Sequence, residues 1–203
     1  MAVLALALYA LYLTLAVGGR MLLQLRRTGS TGLRGLGGRP GSAGWLSGLL
    51  FVFAFGLGLL APVLDLAGAL VPLFPPALFS GLALYLVGLS GTLTAQLMMG
   101  DSWRIGVDER EKTRLVTGGP FAVVRNPIFA AVIPTSLGLA LLVPNLAALA
   151  GFAALFVALQ MQVRLVEEPY LLRTHGDEYA RYASRVGRFV PGIGRLRPPA
   201  ASR

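Results

Sequence analysis

Apolar runs too long for the core of a small soluble domain alternate along this chain with short polar stretches. They cover residues 1–17, 44–64, 71–99, 127–143 and 146–166. Each is about the length that carries a helix across roughly 30 Å of hydrocarbon. The pattern predicts an all-α integral membrane protein of about five transmembrane helices, with 1–203 forming a single membrane domain. Prolines at 72, 75 and 76 suit an interfacial segment, so the third helix begins near Ala77. The short turn at Val143, Pro144 and Asn145 makes the fourth and fifth helices antiparallel neighbours. The stretches 125–129 and 164–168 then meet at one membrane face.

Charge orients this pattern. All 18 Lys and Arg fall in 20–39, in 104–125, or from Arg164 onward, while the opposite loops carry only Asp65. The positive-inside rule makes those three segments cytoplasmic, with the N-terminus outside, the C-terminus inside and a cytosolic helical cap at the end. The net charge of +9 is thus a topology signal that also attracts anionic membrane lipids, and no nucleic-acid partner is expected. The first apolar run has no basic residue before it, which fits a retained helix better than a cleaved signal peptide. Mean hydropathy is +0.69 and only 13% of residues are charged, which places the chain outside the soluble class. With no cysteine, one histidine and no HExxH pair, no metal site is expected.

The first cytoplasmic segment, RTGSTGLRGLGGRPGS, reads as a flexible basic loop, since it lacks a phosphate-loop ending and follows a membrane helix. The second has nearly balanced charge, which suits ion pairing near the membrane or a solvated connector. Gly56, Gly58, Gly81, Gly88 and Gly91 permit close helix packing in lipid. No strand-and-glycine pattern of a dinucleotide-binding domain occurs.

The two ends of the hairpin carry unlike polar groups. Asn126 and Pro127 open a helix as N-cap and first residue, and Arg125 beside them adds charge to an end that already favours anions. Arg125 also serves as an interfacial anchor. Glu167 and Glu168 sit where the fifth span leaves lipid, an expensive place for two carboxylates unless they are paired or meet a cation. Pro169 is placed to open a new helix. On a continuing helix Glu168, Leu172, His175 and Tyr179 share one face, which favours Glu168 over Glu167 as the inward carboxylate. Gly176 is placed to break that helix.

The pieces GGPFAVVRNPIF, EEPYLL and HGDEYARY, followed by RFVP, resemble in their order the isoprenylcysteine carboxyl methyltransferase family and its bacterial relatives. In that family an Arg-His-Pro motif opens a membrane hairpin, and EE and G-x-x-Y-x-x-Y follow it. The resemblance spans 115–191 and marks it as a cofactor-binding region. It implies S-adenosylmethionine as cofactor, bound at the cytosolic face, and methyl transfer to a lipophilic small molecule or lipid. The cofactor contacts it implies are Val116, Thr117, Gly118, Arg125, Asn126, Pro127, Glu168, Leu172, His175 and Tyr179. Arg125 and the helix N-terminus would suit the cofactor's carboxylate, and Glu168 its ammonium and sulfonium. Asn126 stands where the family has His; an amide replaces a hydrogen bond there but not a positive charge.

Glu167 and Arg173 are the catalytic candidates. Glu167, or Tyr182, would take a proton from an amine, phenol or thiol acceptor, and Arg173 would hold an acidic one. An acceptor carboxylate would need no base. Two other functions compete. Sterol reductases resemble this family in the same region and use NADPH, although they are longer, and a small transporter or scaffold would need no chemistry. Oligomeric state is not written in the sequence.

Overall fold

The computed structural model describes residues 1–33, 39–104 and 115–197. The centre of the basic loop (34–38) and most of the charge-balanced segment (105–114) lie outside the described residues, and so do the two readings made of them.

The described residues are predominantly helical. Helix α1 is Ala2–Thr28, α2 Ala43–Leu66, α3 Leu78–Met99, α4 Pro120–Val123, α5 Pro127–Leu142, α6 Leu146–Met161 and α7 Glu168–Arg185. A π turn, Gln162–Glu167, joins α6 to α7, so Leu146–Arg185 is a 40-residue helical stretch with a kink at Gly176. Four helical stretches are long and apolar enough to cross a membrane, and the 16-residue α5 is a shorter apolar helix beside them. The third span starts at Leu78, one residue beyond the expected Ala77, because the prolines before it keep that segment extended. Pro169 stands in the first turn of α7, as expected, directly after the π turn.

Small residues decide which helices touch. Helix α3 packs along α5, and α2 along α6. A Cβ on Gly88 would lie 2.6 Å from the Ala131 carbonyl oxygen, and one on Gly138 would lie 2.8 Å from the Tyr85 nitrogen. Only bare backbone allows that approach. Gly81 and Gly91 also pack on α5 and Gly58 meets Tyr9, whereas Gly56 faces open space and has no packing role.

The hairpin arms α5 and α6 touch far less than either touches its outer partner. Their closed end is locked by Asn145, whose Oδ1 accepts from the Ala148 N–H at 3.0 Å while Nδ2 donates to the Ala61 carbonyl at 2.8 Å. The segment before α3 is laced to the same turn, through Leu73 N–H to Pro144 O at 2.8 Å and Ala77 N–H to Leu141 O at 2.9 Å. Helix α1 clips onto α3 where its own π turn, Leu13–Gly19, frees a carbonyl: Gln96 Nε2 donates to Ala16 O at 2.8 Å. From the locked turn the arms part, and the space between them is the site.

Candidate functional site

A cavity of about 1060 Å³ occupies that space. One limb is apolar and runs between α1 and α2 past Tyr12, Leu13, Val17, Phe51, Val52 and Phe55. The other is a polar mouth at the end of the bundle that carries α7. Val116, Arg125, Asn126, Pro127, Glu167, Arg173, His175 and Tyr179 all line the cavity, so the structure brings most of the sequence candidates together. Thr117 and Gly118 are exposed and do not reach its wall, and Leu172 is 39% exposed while Leu171 lines the wall in its place.

Arg125 is buried, and its charge is directed at protein groups. Nη1 donates to the carbonyls of Ala183 and Val186 at 2.9 and 2.5 Å, and Nη2 to Gly194 O at 3.0 Å and Glu168 Oε1 at 2.6 Å. Its backbone N–H donates to Gly187 O at 2.8 Å. The guanidinium therefore ties the start of α5 to the end of α7 and to the strap that follows. Nε alone, buried and unpartnered, remains for anything else.

Glu168 is clamped from two sides. Besides Arg125, Arg188 donates from Nε to Oε1 and from Nη2 to Oε2, both at 2.8 Å. Burial raises the carboxyl's pKa, but hydrogen bonds from Arg188 and Arg125 outweigh it and hold the group below the ordinary carboxylate range. Both oxygens accept from arginines and Glu168 does not line the cavity, so it is not the inward carboxylate. This corrects the expectation from helical spacing. The reason is the pair of arginines that claim Glu168, which spacing along one helix cannot show.

Glu167 lines the cavity instead, one residue past the apolar run 146–166. Gln162 Nε2 lies 3.4 Å from its Oε1, and Gln162 Oε1 in turn accepts from buried Ser47 at 2.9 Å. Burial pushes the Glu167 carboxyl up to about 7, opposed by Gln162 and Arg104 and reinforced by Glu168. Arg104 lies over the Tyr170 ring at 5.4 Å, and both line the mouth.

The expected N-cap bond from Asn126 is absent. Its ψ of 63° lies outside the extended geometry a cap needs, and Nδ2 donates to Arg188 O at 3.2 Å. Pro127 does hold the first helical position. Tyr182 is no base: its hydroxyl donates to Phe121 O at 2.6 Å, and burial pushes its pKa up to about 12. Arg188 was missed by the sequence reading although it begins RFVP; only the fold shows it beside Glu168.

Comparison with known proteins agrees with this architecture. Residues 76–178 match the family model described as phospholipid methyltransferase. The nickel-cobalt-cadmium resistance protein NccN of Alcaligenes xylosoxydans xylosoxydans is 30% identical over 116 residues, 57% of this chain and 53% of that protein. The chain thus spans about half the length of this curated relative. The solved eukaryotic intramembrane Ras methyltransferase ICMT (isoprenylcysteine carboxyl methyltransferase) shares the fold, with a TM-score of 0.60 over 93% of this chain and 67% of that one at 22% identity.

Proposed function

Because the chain belongs to the phospholipid methyltransferase family, we propose that it transfers a methyl group from S-adenosylmethionine to a lipophilic small molecule or lipid at the cytosolic membrane face. The observation that carries this reading is the single cavity joining a polar mouth to an apolar limb. A water-soluble donor and a lipid-soluble acceptor need to meet in such a space.

The wall suits that cofactor chemically. Glu167 is the carboxylate placed for its cationic groups, and Asn126, the Nε of Arg125 and Arg173 are donors for its carboxylate. Tyr170, Leu171 and Val116 offer aromatic and apolar surface to an adenine. When bound, S-adenosylmethionine supplies an electrophilic methyl on a sulfonium. The apolar limb excludes water from the line of attack and orients the acceptor. With its pKa near 7, Glu167 is also placed to take a proton from an acceptor that must lose one. Glu168 works from behind the wall, holding Arg125 and Arg188. The region 115–191 would carry these cofactor contacts, and the N-terminus would lie outside.

Calorimetry on the detergent-purified protein tests this, with S-adenosylhomocysteine and NADPH titrated side by side. Binding of the first and not of the second is expected, and Glu167→Gln should weaken it by about 1–3 kcal/mol, the worth of a hydrogen bond to a charged group. Binding of NADPH alone would replace this reading with a reductase.

A further inference from the structure

The strap after α7 ends in an apolar tip that no part of the described protein covers. Val190 is 49% and Ile193 65% exposed, and Pro191 and Gly192 between them are exposed as well. The tip is held in shape: Ile193 N–H donates to Val190 O at 3.1 Å, and Arg188 N–H to Ile193 O at 2.8 Å. Its base is fastened to the start of α5, through Arg125 N–H to Gly187 O and Asn126 N–H to Arg188 O at 3.1 Å. A rigid, solvent-facing apolar turn has no local reason to exist.

Depth supplies the reason. Helix α5 has 16 residues, about 24 Å of rise, against roughly 30 Å of hydrocarbon. Helix α3 beside it has 22 residues, about 33 Å, and hydrogen bonding of Ala77 to Leu141 sets their far ends level. The near end of α5 therefore stops short of the level α3 reaches, and the strap is bonded to that recessed end. Charge matches that level. Arg185, Arg195 and Arg197 are all exposed, and Leu196 N–H donates to Ala183 O at 3.0 Å, which brings the last two beside the end of α7.

We propose that residues 190–193 form a membrane-inserted tip, whose apolar side chains enter the boundary between headgroups and acyl chains while Arg185, Arg195 and Arg197 hold anionic lipid headgroups. The partner is the bilayer surface itself. Because Arg188 on the same strap grips Glu168, the lipid layer and the buried charge cluster are fastened to one short piece of chain.

The chain has no cysteine, so single labels are clean. Ile193→Cys and Val190→Cys, each carrying an environment-sensitive fluorophore, would be placed in phosphatidylcholine nanodiscs containing a lipid with a nitroxide high on its acyl chain. Glu178→Cys, on the exposed side of α7, serves as the aqueous reference. Labels at 190 and 193 should be quenched by the nitroxide lipid several-fold more than the label at 178, and shielded from aqueous iodide. Phosphatidylglycerol should increase lipid quenching at 193, and the double change Arg195→Gln with Arg197→Gln should abolish that increase. Iodide quenching at both 190 and 193 equal to that at 178 would overturn insertion. An unchanged phosphatidylglycerol effect in the double variant would overturn the headgroup contact.

Discussion

Arg125 donates four hydrogen bonds through two nitrogens, three of them to carbonyls that would otherwise be left without it. Removing its side chain strips a buried carboxylate of one partner and takes the donor from three carbonyls at the end of α7 and in the strap. Arg125→Ala should therefore destabilise the protein by about 3–5 kcal/mol, the cost of breaking a buried ion pair, as read from thermal unfolding in detergent. A control such as Arg27→Ala, exposed at the end of α1, should shift the melting point little. Acid tests the other partner. The folded-state pKa of Glu168 is depressed, so the stability it contributes is complete above the ordinary carboxylate range and is lost as pH falls through the lowered value. The melting-point gap between the native chain and Glu168→Gln should narrow steadily on acidification; a gap independent of pH would dissociate the clamp from ionisation. The sequence made the meeting of 125 with 168 legible, because a three-residue turn makes the arms antiparallel and brings both polar ends to one membrane face. Which carboxylate faces the cavity was not legible, since that depends on Arg125 and Arg188 claiming Glu168, and spacing counted along one helix carries no sign of them.

At the scale of elements, pairing is set by absent side chains. Gly88 and Gly138 let α3 and α5 meet backbone to backbone, while Gly56 on α2 points at open space. Gly88→Leu should thus overpack the contact and cost about 1–3 kcal/mol or more, whereas Gly56→Leu should leave the melting point near that of the native chain. Equal losses would mean that helix propensity, not contact, sets these glycines. The runs 44–64 and 127–143 were read to within two residues of their helices because length and hydropathy act locally, whereas α1 continues to Thr28, past the apolar run that ends at 17. The splay of α5 from α6 was not read. A short turn fixes only that two helices begin as neighbours; where they part depends on which outer partner offers the closer fit. The π turns were equally hidden, as nothing in QVRLVE distinguishes one from an ordinary helix.

For the whole molecule, alternating charge predicts one orientation, with the polar mouth, the strap and all three basic segments on the cytoplasmic side. Reporter fusions after Asp65 and after Arg197 should report opposite sides of the membrane. The same side for both would require another crossing or one fewer. The fold class follows from composition and span length, and the cavity follows from the fold. The joining of a polar mouth to an apolar limb could be expected only as a consequence of the hairpin.

The arginine hub also has a history within each molecule's synthesis. Arg125 enters the bilayer edge when the hairpin is made, but its carbonyl partners at 183 and 194 are 58 and 69 residues further along. Until the ribosome has supplied them, the newborn hairpin carries a cation with no counterpart from the strap. A stop codon anywhere before 188 freezes that unfinished condition, leaving Glu168 without its second arginine as well. Such a chain can complete its apolar spans and still present misplaced charge at the lipid edge, the kind of flaw that membrane proteases and chaperones detect. The strap thus settles a charge that an earlier part of the chain has already carried to the membrane edge.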